Sequence, residues 1–569
     1  MSTGQAGRPK GPRPSAEPSS RAVEFAIRTT IAALIAFSIA QFLDVQHPWW
    51  AAMTVWLVAQ PTRGLLLERS LARTAGTICG ATAGGAILVF WAQDTLVALM
   101  LLSFWLAVST GIGTSFRHFG NYGFVLAGYT AAIVVLFGLG NDHTEFVLAQ
   151  DRVFCTLLGI VCSSLLSFHA LPRRIEGFEL RSREIIDRTL KLVATGLRRH
   201  KPDYTYSLIN QIGVVDRAID EQAAGSVCRR TDALRLHHIS GLLLELVALA
   251  KGTHEPFMEP VRTPTDPRLV VREMASDAAA RGHTAFAHTL QDIATALDPD
   301  RLAIRRYLRF DFDPVAACRA AARPVLALVI ASTVWLATDW HVGSMMIMTA
   351  ILFTALFSNH DQGSHMVVQV LLGSLTGATT GIAVRLFLLP QVEGLLATII
   401  CIAPFLLFVA WLMRQSTTAK MAIDMAMTFL LTAQPGSAPM AGDVVVAEAI
   451  AIVAGVLIAV ALFWLLLPST PAVHQRLLAH RIARLTRRIA ASTDRQAAVS
   501  THALLRSANV RLLSLSGANS ILFASAQDCV ATAAQALSTT ATSARESALS
   551  ASAALNSLAT SNTRRKYNG

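Results

Sequence analysis

The pattern of apolar and polar positions occurs twice in this chain, about 295 residues apart. Arg28 precedes Asp44 by sixteen positions with an almost unbroken apolar run between them, and Arg323 precedes Asp339 in the same way. Glycines recur at matching places, namely Gly76, Gly80 and Gly84 in the first copy and Gly373, Gly377 and Gly381 in the second. Duplicated blocks of apolar segments are typical of solute transporters, in which the pathway forms between the two copies.

Twelve apolar segments predict twelve membrane-spanning helices, six in each copy. A helix crosses the hydrocarbon core with about 20 mostly apolar residues, because each residue adds about 1.5 Å of rise. The predicted spans are residues 22–43, 49–61, 74–92, 95–115, 120–138 and 150–171, then 320–338, 342–357, 366–389, 395–413, 420–433 and 444–467. We therefore predict an all-α polytopic membrane protein with two parallel six-helix transmembrane repeats, each followed by a cytoplasmic helical domain.

The polar stretches divide the chain into five parts. Apolar residues recur at helical spacing between the repeats, and a basic amphipathic helix opens the last region. Its apolar stripe either packs on the central domain, which we favour, or lies on the inner leaflet. The predicted parts are a disordered basic leader (1–20), repeat 1 (21–172), a cytoplasmic helical domain (173–312), repeat 2 (313–468) and a cytoplasmic helical C-terminal region (469–569).

Composition and charge support the membrane interpretation. The chain is 53% hydrophobic and only 15% charged, with a mean hydropathy of +0.46. A net charge of +12 is compatible with a nucleic-acid partner, but here the basic residues cluster on alternate loops. Arg63, Arg69 and Arg73 fall on one side, whereas Asp94 and Asp142 fall on the other. By the positive-inside rule both termini are cytoplasmic, and we expect no nucleic-acid partner.

No catalytic or cofactor pattern competes with this interpretation. The seven cysteines form no CxxC pair, and no GxxxxGK[ST] phosphate loop is present. His237 and His238 are neighbours on a predicted helix, so they point about 100° apart and are poorly placed to chelate one metal ion. We expect them to face solvent or a partner, and we predict neither a metal, nor a cofactor, nor an enzymatic activity.

Two unusually short spans occupy matching positions in the two copies, 49–61 and 342–357. Short or interrupted spans at corresponding positions indicate a transporter's binding site, because their free backbone groups need a wet cavity. Tilting and local thinning of the bilayer is the structural alternative. The glycine rows have small-xxx-small spacing, for which close helix packing is the favoured interpretation over a ligand role.

Ionisable residues within spans are costly and mark pathways or partners. Asp424 has Lys420 one turn earlier on the same face, so an internal ion pair is plausible. Arg152 and Glu448 occupy equivalent positions, so their opposite charges can meet between the repeats. The predicted substrate pathway comprises Arg28, Trp49, Trp50, Arg152, Arg323, Trp340 and Arg385. For the arginines near the span ends, snorkelling to lipid headgroups stays an equal alternative. The predicted proton-coupling residues are Asp424 and Glu448.

The residues around the first short span resemble a known family. His47-Pro48-Trp49-Trp50-Ala51, Gln60-Pro61 and Arg73 with Gly76-Thr77 resemble the fusaric acid resistance family, which includes bacterial aromatic carboxylic acid efflux pumps. Trp340-His341-Val342-Gly343 follows the same pattern in the second copy, but Ser358-Asn359-His360-Asp361 departs from it. The resemblance implies a bacterial inner-membrane exporter, often working with a periplasmic adaptor protein. More distantly the layout resembles the plant aluminium-activated malate transporters, which are anion channels.

We therefore hypothesise export of aromatic or other weak organic acids, driven by the proton-motive force. An inside-negative potential favours the exit of an anion by about 2.3 kcal/mol per charge per 100 mV. A passive anion channel is the alternative of the same class, and a membrane-anchored scaffold acting through its cytoplasmic domains is the alternative of another class. The expected partners are a small organic anion, the lipid bilayer and a periplasmic adaptor; the substrate's identity and the oligomeric state stay open.

Overall fold

The computed structural model describes residues 19–60, 62–116, 119–139, 145–168, 178–197, 201–225, 227–251, 267–297, 312–413, 415, 417–539 and 541–567. Within these ranges the regular structure is entirely helical. The first block contains α1 (Ser19–Phe42), α2 (Trp49–Val58), α3 (Arg63–Trp91), α4 (Thr95–Gly113), α5 (Phe119–Gly138) and α6 (Glu145–Phe168). The central domain contains α7 (Phe178–Thr195), α8 (Pro202–Ala223), α9 (Val227–Ala250), α10 (Pro267–Ala280) and α11 (Thr284–Leu297).

The second block repeats the order of the first. It contains α12 (Pro314–Thr338), α13 (Gly343–Phe357), α14 (Gly363–Ala383), α15 (Leu395–Leu412), α16 (Ala419–Ala433) and α17 (Gly442–Ala461). The C-terminal helices are α18 (Pro471–Ala491), α19 (Arg495–Ser516), α20 (Ile521–Ser538) and α21 (Thr542–Tyr567). Single π-turns, Val384–Leu388 and Leu462–Leu466, extend α14 and α17. The predicted leader lies outside the described residues up to position 18, and α1 begins at Ser19.

The two blocks have the same internal packing, so the predicted duplication is confirmed. α3 packs along α5 as α14 packs along α16, and α2 packs on α6 as α13 packs on α17. The glycine rows lie at the first of these contacts. A Cβ atom built on Gly80 would lie 2.5 Å from the carbonyl oxygen of Ala127, and one built on Gly377 would lie 2.6 Å from that of Met425. Any side chain at these positions would separate the paired helices.

Helices of one repeat pack directly on helices of the other at the interface between the repeats. α1 packs on α15 of the opposite repeat as α12 packs on α4, and α2 meets α16 as α13 meets α5. Buried apolar residues of both repeats form one continuous cluster through this centre, including Trp56, Leu126, Ile347 and Phe429. Its central part is therefore closed by packed apolar side chains, so passage between the repeats requires a rearrangement.

Each predicted span coincides with a helix, but helix length and hydropathy alone would have added a false span. In the part of the chain that the structure describes, ten helices are long and apolar enough to cross a membrane, and one of them, Arg230–Ala250, belongs to α9 of the central domain. In its most apolar 18-residue window 72% is buried inside the protein, and the helix packs on α8, α11, α19 and α20. The short helices α2 and α13 have only 10 and 15 residues, as the sequence predicted.

The central and C-terminal helices share one core built around a buried carboxylate. Glu245 of α9 accepts hydrogen bonds from Arg506 at 2.5 and 3.0 Å and from Thr289 at 2.7 Å, and His502 lies 3.2 Å away. Burial alone raises the pKa of Glu245, but Arg506 and His502 outweigh this effect and hold it below its ordinary value.

The apolar stripe of α18 packs on α19, α20 and α21, so neither predicted location for it was right.

The prediction that His237 faces solvent or a partner was wrong. Its Nδ1 lies 2.8 Å from the Asp216 carboxylate and its Nε2 lies 3.0 Å from Asp220, both on α8. Burial alone lowers the pKa of His237, but the two carboxylates raise it by more, so the pKa is about 9. The imidazole is therefore a charged clamp between α8 and α9.

This clamp predicts a specific loss of stability with rising pH. Because the folded pKa of about 9 exceeds the ordinary value of about 6.5, the contribution is complete below pH 6.5 and disappears as pH rises through 9. It amounts to about 3 kcal/mol at most. Thermal unfolding of the detergent-purified protein should show this loss, and His237→Gln should be less stable at pH 6.5 with a flatter pH dependence. His288→Gln, at an exposed position, is the control. An unchanged slope in His237→Gln would contradict this account.

Candidate functional site

The close approach of α3 and α5 brings a buried arginine against two tyrosines. Arg73 lies on α3 and is 1% exposed. Its Nη1 donates hydrogen bonds to the hydroxyl oxygens of Tyr122, at 2.8 Å, and Tyr129, at 3.3 Å. The two tyrosines are seven residues apart on α5 and therefore lie two turns apart on one face. The glycine row permits this contact, since bulkier residues would hold the helices further apart.

A second buried arginine extends this group. The guanidinium of Arg152, on α6, lies 5.0 Å from the centre of the Trp50 ring on α2. It is an electrostatic neighbour of Arg73, Tyr129 and Tyr122. We call Arg73, Arg152, Tyr122, Tyr129 and Trp50 the arginine–tyrosine cluster.

The two guanidinium groups of the cluster face no carboxylate within ion-pair distance among the described residues. The Nε atoms of both arginines lack a hydrogen-bond partner there as well. Three further buried polar atoms lack a hydrogen-bond partner among the described residues, in the side chains of Trp49, Thr130 and Thr156. A buried charge without a counter-ion costs several kcal/mol, and such residues in a membrane protein mark a ligand or ion pathway. The arrangement is therefore chemically suited to receive an anion.

Repeat 2 carries different side chains on the same scaffold. The glycine register, Gly76 with Gly373, places Val370 at the position of Arg73. Gly76 faces Leu126 of α5, whereas Gly373 faces Asp424 of α16. The duplicated helices thus present arginine in one copy and carboxylate in the other.

Asp424 is buried and held by a single hydrogen bond. The Ser374 hydroxyl on α14 donates to its Oδ2 at 2.6 Å, while Oδ1 has no partner among the described residues. The predicted ion pair with Lys420 was wrong. Lys420 is exposed in the first turn of α16 and takes no part in the contacts of Asp424. Although the two residues are one turn apart, Lys420 is exposed, whereas the Asp424 carboxylate is directed to Ser374 of α14.

The predicted meeting of Arg152 with Glu448 was also wrong. Glu448 on α17 is ion-paired within its own repeat, with Arg385 Nη1 at 2.9 Å. Gln434 bonds both partners, at 3.1 Å each, and the Thr432 carbonyl oxygen accepts from the arginine at 3.1 Å. A charge neutralised in this way has little attraction left for a substrate anion, so Arg385 and Glu448 are better explained as a structural pair.

The other predicted pathway residues are distributed along the repeats. Arg323 donates to the carbonyl oxygens of Ser358, at 2.7 Å, and Leu467, at 3.1 Å, where α13 ends and the α17 segment ends. Arg28 lies 3.5 Å from Glu24 on its own helix. Trp49 is buried beside the cluster, and Trp340 packs partly buried against the apolar core. Of the predicted pathway residues, Trp50 and Arg152 meet in the cluster and Trp49 lies beside it.

Sequence reasoning missed three members of the cluster. The apolar run that begins at residue 74 predicts a basic loop for Arg73, whereas the structure buries Arg73 as the eleventh residue of α3. Tyr122 and Tyr129 were not singled out at all. Their seven-residue spacing was the available signal, since it puts two hydroxyl groups on one face of an apolar span.

Comparison with known proteins gives a family. The profile of the Fusaric acid resistance protein family matches residues 22–301 and again 271–562. An uncharacterised transporter of Gluconobacter oxydans is 34% identical over 149 residues, 25% of this chain and 20% of that protein. The uncharacterised transporter YdhK of Escherichia coli K12 is 32% identical over 144 residues, 25% of this chain and 22% of that protein. The p-hydroxybenzoic acid efflux pump subunit AaeB of Yersinia pestis is 23% identical over 428 residues, 66% of this chain and 65% of that protein.

The matched segments span less than two thirds of the length of each of these relatives. No solved structure matches the chain. The family profile, however, covers nearly all of it in two successive matches, in agreement with the duplicated helical fold. This membrane protein belongs to the fusaric acid resistance protein family.

Proposed function

We propose that this protein exports aromatic or other weak organic acids across the bacterial inner membrane, powered by the proton-motive force. The observation that carries the proposal is the arginine–tyrosine cluster, in which two buried arginines lie beside aromatic rings and face no carboxylate among the described residues. The name of the Yersinia relative, a p-hydroxybenzoic acid efflux pump subunit, supports this substrate class.

The cluster offers complementary chemistry to an aromatic carboxylate. Arg73 and Arg152 supply charge-assisted hydrogen bonds for the carboxylate, which are roughly twice as strong as neutral ones. The Trp50 ring offers an apolar surface for the aromatic ring of the substrate. The Tyr122 and Tyr129 hydroxyl groups can accept from or donate to a ring hydroxyl.

The physics of weak acids explains why export needs a positively charged site. A weak acid enters a cell in its neutral form and ionises inside, so the species to be expelled is the anion. We propose that both termini and both helical domains lie in the cytoplasm, following the basic loops. The substrate then leaves toward the positive side of the membrane, and a periplasmic adaptor would receive it there.

The first test is direct binding of 4-hydroxybenzoate to the purified protein. Arg152→Gln removes one charge from the cluster and should weaken binding about 10- to 100-fold, because a hydrogen bond to a charged group contributes about 1.5–3 kcal/mol. Tyr129→Phe should weaken it less, since a neutral hydrogen bond contributes about 1 kcal/mol. Arg487→Gln, at an exposed arginine of α18, is the matched control and should bind as the wild type does.

Unchanged affinity in a folded Arg152→Gln protein would remove the cluster from substrate binding. Thermal unfolding with and without ligand gives an independent readout, because a ligand that binds the native state raises its stability. That ligand-induced shift should be present in the wild type and small in Arg152→Gln.

The second test separates a pump from a channel. Proteoliposomes containing the wild type should accumulate 4-hydroxybenzoate against its gradient when a pH gradient is imposed at zero membrane potential. A coupled exporter draws on the proton gradient, whereas a channel can only equilibrate its substrate. Equilibration without accumulation would identify a passive anion channel and contradict the proposed energy coupling.

A further inference from the structure

We infer that Asp424 and Ser374 of repeat 2 form the proton-binding site that couples export to the proton gradient. The inference rests on the proposed export function and assigns the driving proton to a specific carboxylate. Asp424 is 3% exposed and accepts one hydrogen bond, from Ser374 at 2.6 Å. Its second oxygen has no partner in the described parts of the chain. It is thus a buried carboxyl group with one open position for a proton.

Among the described residues, the helices packed around α16 bring no counter-charge against Asp424. α2 contains no ionisable side chain, α15 contains only the thiol of Cys401, and α14 contains only His365, nine residues before Ser374. α17 contains Glu448, which is paired with Arg385 of the π-turn, and Asp443, which is exposed in its first turn. On α16 itself Lys420 is exposed. Without a nearby cation, burial favours the neutral, protonated form of this carboxyl group, because ionisation costs free energy there. A change of its surroundings can therefore load or release a proton.

The number of oxygen ligands favours a proton over a metal cation. Hard cations take about six or more oxygen ligands. Here the carboxylate is joined by the Ser374 hydroxyl, and the Thr428 hydroxyl lies 3.5 Å from that of Ser374. Among the described residues no group of three or more histidine, cysteine, aspartate or glutamate side chains is placed to hold a metal ion.

The position of Asp424 links it to the substrate cluster. α16 contacts α2 across the interface of the repeats, and α2 carries Trp50 of the arginine–tyrosine cluster. The equivalent of Asp424 in repeat 1 is Leu126, so the acid is present in one copy only. On this assignment repeat 1 binds the anion and repeat 2 binds the proton. The contact between α2 and α16 connects the two sites. The proposed exchange moves one proton inward for each anion exported, and neither is chemically changed. It is driven by the pH gradient and by the membrane potential, the two components of the proton-motive force.

The decisive variant is Asp424→Asn, which keeps the shape of the side chain and cannot exchange a proton. We expect it to lose the accumulation driven by a pH gradient while keeping 4-hydroxybenzoate binding within about threefold of the wild type, a difference below 1 kcal/mol. It should also keep downhill exchange of labelled for unlabelled substrate. Full pH-driven accumulation in this variant would overturn the inference. So would the loss of both accumulation and exchange, because Asp424 would then serve translocation in general.

A second variant tests the role of the hydrogen bond without touching the acid. Ser374→Ala removes the donor that stabilises the ionised carboxylate, so the pH of half-maximal transport should move to a higher value. Thr380→Ala is the control on the same helix, because the Thr380 hydroxyl is exposed and bonds its own helix at Thr376. An unshifted pH profile in Ser374→Ala would contradict the assignment.

The results distinguish failure of this inference from failure of the proposed function. If the wild type neither binds nor moves 4-hydroxybenzoate or related aromatic acids, the export function itself is wrong. If the wild type accumulates the acid and Asp424→Asn does so equally well, export stands and the proton site lies elsewhere. If Arg152→Gln loses binding while Asp424→Asn loses only the pH-driven step, both assignments are supported.

Discussion

The structure depends on one packing constraint, the backbone contact between paired helices at the glycine rows. α3 meets α5, and α14 meets α16, so closely that a Cβ atom at Gly80 or Gly377 would collide with a carbonyl oxygen of the opposite helix. Within a membrane, where apolar side chains gain little from leaving lipid, such close contact is a main source of helix association. It also positions chemistry, because it brings Arg73 against the two tyrosines of α5 and Ser374 against Asp424.

Duplication supplied the same scaffold twice, and the two copies have diverged in charge. Repeat 1 buries Arg73 and Arg152 without a carboxylate in contact among the described residues, whereas repeat 2 pairs its buried Arg385 with Glu448. Both arrangements carry a desolvation cost, but only the paired one has an internal counter-ion. The uncompensated charge of repeat 1 is the feature that a bound anion would neutralise. The closed apolar centre between the repeats means that this site and the opposite side of the membrane are connected only after a rearrangement.

The sequence predicted the elements better than their contacts. Hydrophobic runs and the recurring glycines were sufficient for twelve helices in two copies, since span length and helix packing are local properties of the pattern. The pairing of charges is not local. Glu448 was matched with Arg152 by position in the repeats, yet its partner is Arg385, which a π-turn at the end of α14 brings into contact. Arg73 was assigned to a loop because a polar residue near the start of an apolar run looks like a boundary, although α3 extends ten residues further back.

The central claim is that the two buried arginines of repeat 1 hold the carboxylate of an aromatic acid. A structure determined with 4-iodobenzoate tests it most directly, because anomalous scattering locates the iodine independently of the protein. We predict one ligand per chain, with its carboxylate at Arg73 and Arg152 and its ring against Trp50. Ligand bound only elsewhere, with both guanidinium groups unchanged and unoccupied at saturating concentration, would contradict the account.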